Sequence, residues 1–189
     1  ASLALLAERC AAFGLPLSVC KVDLAQAFDT LSHDAIICAL ERAGVSPCIT
    51  TAIMREYAEC TVSLKTPWGS VVPGIRCARG IRQGDPLSAL LSTLVLSQAF
   101  EDLRANWLAT GLGFRMDEGP GTEEVAFVLT HLLFADDAYL VTPFTHQLTT
   151  MLSHLDDKLA TLGLSINTGK TKFAANEWHW VDSPPLHHC

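Results

Sequence analysis

Hydrophobic and polar positions along the chain follow two different periods, which predicts a mixture of helices and strands. Apolar residues at helical spacing predict helices over residues 1–13, 33–42, 47–59, 87–109 and 144–162. Extended apolar runs predict strands over residues 17–24, 60–66, 70–77, 125–134, 138–141, 164–166 and 171–174. Gly, Asp and Glu are frequent in residues 111–124, which we expect to form a mobile surface loop. The order predicts an α+β fold with helices on one face of an antiparallel sheet.

The composition fits one folded domain. Of the 189 residues, 49% are hydrophobic and 17% are charged, so the chain can bury a sizeable core and should not be disordered. Polar residues or glycine interrupt every apolar run before it reaches the length needed to span a membrane. The seven cysteines are scattered singly, which predicts reduced, mostly buried thiols in an intracellular protein. A net charge of −7 argues at first against a nucleic-acid-binding surface.

Two adjacent aspartates interrupt the apolar run LLFADDAYLV, residues 132–141. We expect Asp136 and Asp137 at the tip of a hairpin, and Asp23 at the end of the strand over 17–24. If these strands are neighbours, Asp23 and Asp136 converge at one edge of the sheet, where a divalent cation would neutralise them. Two Mg²⁺ or Mn²⁺ ions about 4 Å apart would suit phosphoryl transfer. The alternative is an ordinary turn, because Asp favours turns.

Four motifs occur in a fixed order along the chain. They are KVDLAQAFDTLSH at 21–33, RGIRQGDPLS at 79–88, FADD at 134–137 and GLSINTGKTK at 163–172. Together they resemble palm motifs A to D of reverse transcriptases, above all those of the non-LTR (LINE-type) retrotransposons. The resemblance implies a polymerase palm, an α+β fold of the ferredoxin-like type, over residues 1–175. It leaves residues 176–189 as an irregular C-terminal tail.

The resemblance assigns the catalytic and metal-binding residues. Asp23 and Asp136 match the metal-binding carboxylates, and Asp137 matches a third, lesser one. The backbone carbonyl of Leu24 would be a further ligand, and the cofactor would be two Mg²⁺ ions, with Mn²⁺ as a substitute. Lys170 matches a lysine near the pyrophosphate leaving group, where it would act as a general acid or charge partner. Without the motif, Lys170 is a surface lysine.

The resemblance also assigns the nucleotide-binding residues. Phe28 matches the steric gate, an aromatic ring that leaves no room for a 2′-hydroxyl and so selects dNTPs over rNTPs. Gln83 and Gly84 match the loop that contacts the incoming nucleotide and the template base. Arg82 could bind phosphate. The alternatives are core packing for Phe28 and a solvated side chain for Arg82.

These assignments imply an RNA-directed DNA polymerase that uses an RNA template, a DNA primer and dNTPs. We expect no membrane among its partners, and the family resemblance implies a nuclear location. We expect the fingers and thumb, which carry much of the phosphate-binding charge, to be largely absent. A net negative palm is then expected. Two alternatives stay open: an RNA-templated RNA polymerase, and a truncated or domesticated remnant without catalysis that acts as an interaction module. Gln26 and Ala89 depart from common residues of the motifs but lie outside the proposed chemistry.

Overall fold

A computed structural model describes residues 2–69, 71–116, 127–134 and 137–176. The helices of this part are α1 (Ser2–Phe13), α2 (Ala27–Thr30), α3 (His33–Arg42), α4 (Pro47–Ala58), α5 (Pro86–Ala109) and α6 (Thr145–Thr161). The strands are β1 (Ser18–Val22), β2 (Thr61–Lys65), β3 (Val71–Arg76), β4 (Phe114–Met116), β5 (Phe127–Leu129), β6 (His131–Phe134), β7 (Asp137–Thr142) and β8 (Lys172–Ala175).

The five predicted helices are confirmed, because local signals fix their ends. The hydroxyl of Ser32 accepts a hydrogen bond from the amide of Ala35 at 3.4 Å, which satisfies a free donor at the start of α3. Gly44 follows α3 with a φ of +75°, a conformation that suits glycine after a helix. Pro47 opens α4, where its missing N–H costs nothing. The predicted hairpin is also present as β2 and β3, which pair antiparallel.

The prediction of one long strand over 125–134 is wrong. The described part of it forms two strands, of which β5 pairs with β4 and β6 pairs with β7. Thr130 separates them, and its hydroxyl binds the ring nitrogen Nδ1 of His131 at 2.9 Å. The predicted loop over 111–124 is wrong for residues 114–116, which form β4, and its residues 117–124 lie outside the described part. Gly113 allows β4 to approach, since a Cβ there would lie 2.8 Å from the Cγ2 atom of Thr130.

The main sheet has four strands in the order β6-β7-β1-β8, and every neighbouring pair is antiparallel. On β1 the side chains of Ser18, Cys20 and Val22 are buried, and those between them are less so. The mixture of helices with antiparallel sheets confirms the α+β prediction at this level. The strand that precedes Asp23, β1, is a neighbour of β7, which begins at Asp137, so the condition stated for convergence of the acidic residues is met.

The chain divides into two compact units. The described parts of 1–23, 100–158 and 166–189 form the first, which contains the main sheet, and those of 24–99 and 159–165 form the second. In the first unit α1 packs on the sheet through a core of Leu6, Cys10, Leu17, Phe114 and Val141. In the second, α3 packs against α4. The boundary of the predicted domain at residue 175 stays a prediction.

The cysteines do not follow the prediction made from composition. Among the six cysteines of the described part, only Cys10 and Cys20 are buried, so the prediction of mostly buried thiols is wrong. None of these six forms a disulfide. No helix within the described residues combines the length and the apolar character that crossing a bilayer requires.

Candidate active site

Asp23 follows the last residue of β1, and its backbone is held on both sides. Its amide donates a hydrogen bond to the hydroxyl of Thr171 at 3.3 Å, and its carbonyl accepts one from the amide of Asn167 at 2.8 Å. The carboxylate is half-buried.

The segment that holds Asp23 also contains Lys170. Asn167 closes a turn by accepting hydrogen bonds at its carbonyl from the amides of Lys170 and Thr171, at 3.1 and 2.9 Å. The first and fourth predicted motifs therefore meet through backbone hydrogen bonds within the first unit. The side chain of Lys170 is exposed. Its role near a leaving group stays a prediction.

Asp137 is the first residue of β7, where the sequence predicted a hairpin tip. It pairs with Phe134 across a two-residue connection. Asp136, the stronger of the two predicted metal ligands, belongs to that connection and lies outside the described residues. The register pairs Val22 with Ala138. Asp23 follows Val22 and Asp137 precedes Ala138, so the two aspartates lie at the same end of the β1–β7 pair.

Lys21 joins this group, although the sequence analysis did not identify it. Its Nζ lies 2.7 Å from Oδ1 of Asp137 and 5.6 Å from the centre of the Tyr139 ring. The hydrogen bond to the Asp137 carboxylate raises the pKa of the Lys21 ammonium above its ordinary value. The sequence carried one signal for Lys21: in the strand predicted over residues 17–24, residues 21 and 23 are two apart and would share a face.

The donor chemistry of this edge fits a hard divalent cation. Asp23 and Asp137 place carboxylate oxygens at the same end of the β1–β7 pair, and such ligands suit Mg²⁺ or Mn²⁺. Within the described residues, no group of three or more His, Cys, Asp or Glu side chains could hold a metal ion. The described part thus supplies two of the three predicted carboxylates, and the third is Asp136.

The loop of the second motif belongs to the second unit, where it is tied to α2. The amide of Ile81 donates to the carbonyl of Phe28 at 2.6 Å, and the amide of Gly80 donates to the carbonyl of Leu31 at 2.8 Å. The carbonyl of Gly80 also lies 3.0 Å from Nε2 of His33. These bonds fix the loop against the helix that carries Phe28, which is half-buried.

Gln83 is attached to the same helix by its side chain. Its Nε2 donates a hydrogen bond to Oδ1 of Asp29 at 3.2 Å. An ionised carboxylate only accepts hydrogen bonds, so it holds the amide with the nitrogen facing Asp29. Gly84 is exposed and has a φ of +87°. No atom lies within 4 Å of the position that a Cβ would take there. The structure therefore joins Phe28 and Gln83 through Asp29, a residue that no sequence pattern had identified.

Arg82 points to a different partner. Its guanidinium donates to the carbonyl of Glu56 at 2.7 Å and lies 5.8 Å from the centre of the Tyr57 ring. A cation is favoured at this place, because the last carbonyls of α4 carry partial negative charge. The phosphate contact of Arg82 and the metal-binding role of the Leu24 carbonyl both stay predictions.

The connection from Asp23 to α2 contains one strained residue. Gln26 has a φ of +47°, and among the described residues it is the one non-glycine with positive φ. A left-handed conformation costs a residue with a Cβ about 1 kcal/mol. The carbonyl of Gln26 accepts hydrogen bonds from the amides of Asp29 and Thr30, at 2.9 and 3.1 Å. These bonds offset the strain and start α2.

The chain is similar in sequence to known reverse transcriptases and retrotransposon proteins. A family model described as Reverse transcriptase (RNA-dependent DNA polymerase) matches residues 10–182. A Pol polyprotein from a type-1 retrotransposable element R2 of Popillia japonica is 30% identical over 154 residues, 82% of this chain and 20% of that protein. The corresponding protein of Nasonia vitripennis is 32% identical over 155 residues, 79% of this chain and 13% of that protein. The chain thus spans a fifth or less of the length of these two relatives.

Solved structures show a similar fold. Apo telomerase from Candida tropicalis gives a TM-score of 0.63 at 16% identity, with 91% of this chain and 32% of that chain covered. Telomerase from Candida albicans in complex with a TWJ fragment of telomeric RNA gives 0.62 at 18% identity, with 90% and 30% covered. At these identities the likeness concerns the fold alone.

Proposed function

Because this chain belongs to the reverse transcriptase (RNA-dependent DNA polymerase) family, we propose that it is the palm of an RNA-directed DNA polymerase. The relatives from R2 elements confirm the predicted non-LTR retrotransposon type. The reaction is nucleotidyl transfer, in which a primer 3′-hydroxyl attacks the α-phosphate of a dNTP and pyrophosphate leaves. RNA template, DNA primer and dNTPs are the partners, and the nucleus is the location that follows from this role.

The observation that carries the proposal is the pairing of β1 with β7, which places Asp23 and Asp137 at the same end of the main sheet. Asp23 and Asp136 would hold two Mg²⁺ ions, and Asp137 would be a weaker contact. Bound Mg²⁺ neutralises phosphate charge and lowers the pKa of a coordinated oxygen. The protein contributes rigid placement, because the backbone of Asp23 is hydrogen-bonded at both its N–H and its C=O.

Nucleotide selection falls to α2 and the loop tied to it. The ring of Phe28 would exclude a 2′-hydroxyl, and Gln83 with Gly84 would contact the incoming nucleotide and the template base. The hydrogen bonds that link Ile81 to Phe28 and Gln83 to Asp29 keep these groups in one arrangement. Lys170 would hold a proton near the leaving pyrophosphate, and the backbone carbonyl of Leu24 would add a ligand for the metal.

The test is primer extension on an RNA template with Mg²⁺ and dNTPs, by the full natural polypeptide that contains this chain. Asp23→Asn and Asp136→Asn should each lower the rate by about a hundredfold or more, since each removes a charge that the transition state needs. Asp137→Asn should lower it less. The control is Asp157→Asn, which removes an exposed carboxylate from α6 and should leave the rate unchanged.

Two outcomes would contradict the proposal. Extension that is equally fast in Asp23→Asn and wild type would remove the carboxylates from the mechanism. Wild-type protein that uses rNTPs as readily as dNTPs would instead favour an RNA-templated RNA polymerase, and would remove the role of Phe28.

A further inference from the structure

The carboxylates at the sheet edge create a charge problem that needs a local solution. Asp23 follows the last residue of β1 and Asp137 begins β7, so both carboxylates lie at the same end of this strand pair, where their like charges repel. A bound cation removes the repulsion only while it stays bound. Before binding and after release, another positive charge is needed.

Lys21, which lies on β1 two residues before Asp23, supplies this positive charge. Its Nζ is 2.7 Å from Asp137, and the two side chains are 37% and 36% exposed, so solvent does not fully screen the pair. The ring of Tyr139, which faces Lys21 in the β1–β7 register, lies 5.6 Å from the ammonium. An aromatic face attracts a cation at this distance.

The other neighbour of Lys21 favours the same position. On β8 the residue directly opposite Lys21 is Lys172, and two like charges in that register repel. Repulsion by Lys172 on one side and attraction by Asp137 on the other both direct the Lys21 ammonium towards β7. The sheet register therefore favours the Lys21–Asp137 pair.

We propose that Lys21 is a positioning residue: it is the counter-ion of Asp137 in the metal-free site, and it competes with the divalent cation for that carboxylate. This inference rests on the proposed function, because it assumes that the edge binds Mg²⁺. Lys21 lowers the affinity of the site and stabilises the sheet when the cation is absent. It also explains a weak metal contact for Asp137, whose charge already has a partner.

The experiment compares Lys21→Met with Lys21→Arg in the full natural polypeptide. Methionine keeps a long stem without the charge, whereas arginine keeps the charge. The matched control is Lys158→Met, because Lys158 forms a Lys–Asp pair of similar length, 2.8 Å to Asp102, at 30% and 40% exposure. That pair joins α6 to α5 and is not at the sheet edge.

Three readouts follow: melting temperature in EDTA, its rise with Mg²⁺, and Mg²⁺ affinity by calorimetry. Lys21→Met should melt a few degrees lower in EDTA and show a larger rise with Mg²⁺ than wild type. Its Mg²⁺ dissociation constant should fall about five- to tenfold, because a nearby positive charge no longer opposes the ion. Lys21→Arg should resemble wild type, and Lys158→Met should melt lower without any change in the Mg²⁺-induced rise.

A second variant covers the case in which Lys21→Met is too unstable to measure. Lys21→Met combined with Asp137→Asn removes both charges, so in EDTA it should recover part of the lost stability. The proposal is overturned if Lys21→Met binds Mg²⁺ with unchanged or weaker affinity, or if its Mg²⁺-induced rise equals that of Lys158→Met. Wild-type protein with no Mg²⁺ response at all would instead contradict the proposed function itself.

Discussion

Gly80 offers the sharpest test of how the nucleotide loop is attached to α2. The residue is buried, and its φ is +86°. A Cβ added there would lie 2.6 Å from the carbonyl oxygen of Asp29 and 2.9 Å from that of Phe28. Both are backbone atoms, which cannot rotate aside as a side chain would. Gly80→Ala therefore forces the loop and the helix apart.

The expected loss of stability has two parts. The left-handed conformation costs alanine about 1 kcal/mol relative to glycine. Separation of the loop from α2 weakens the hydrogen bonds from Gly80 to Leu31 and from Ile81 to Phe28, each of which contributes about 1 kcal/mol. Gly80→Ala should therefore lower the free energy of unfolding by about 3 kcal/mol.

The assay is denaturant unfolding of Gly80→Ala against a matched glycine variant. Gly44 has a similar φ of +75° with nothing within 4 Å of the added Cβ, so Gly44→Ala should lose only the conformational part, about 1 kcal/mol. The difference between the two variants isolates the contact with α2. Equal losses in the two variants would contradict this prediction, because the close approach to Asp29 would then have no energetic effect.

Two further predictions concern a buried histidine and the support of Gln83. His131 is partly buried among aromatic rings, and this burial, with a smaller effect of the Arg104 charge, lowers its pKa to about 4. The folded protein therefore keeps the imidazole neutral at pH values where the unfolded chain binds a proton. The contribution of the neutral His131 to the free energy of unfolding should be fully present above pH 6.5. It should fall by about 2 kcal/mol as the pH drops from 6.5 to 4, a figure reduced because solvent screens part of the charge. His131→Gln should make the free energy of unfolding less dependent on pH in this range, and an unchanged dependence would contradict the assignment. Asp29→Ala should lower dNTP incorporation efficiency about threefold in wild type and not at all in Gln83→Ala. A loss that persists without Gln83 in that double-mutant cycle would mean that Asp29 acts elsewhere.

The sequence predicted the helices well because their signals are local. The cap at Ser32, the glycine after α3 and the proline that opens α4 each act within a few residues of the helix end. The sequence also predicted an antiparallel sheet, and every neighbouring pair of the main sheet is antiparallel. What these signals determine is the element and not its partner.

The errors arise where a partner distant in the chain decides the structure. Three residues, 114–116, become a strand because β5 pairs with them, and no local property distinguishes them from a loop. The division at Thr130 follows from pairing with two different strands. Asp29 and Lys21 were missed for the same reason, since their importance comes from contacts with Gln83 and Asp137.

The aspartate doublet shows most clearly what a register adds to a motif. The doublet by itself does not show which of its two acids has a partner. The register pairs Lys21 with Tyr139, and the Lys21 ammonium lies 2.7 Å from Oδ1 of Asp137. The charge of Asp137 therefore already has a partner within the sheet. A metal that binds both Asp23 and Asp137 must compete with Lys21, and this competition is a property of the tertiary register that the motif FADD does not contain.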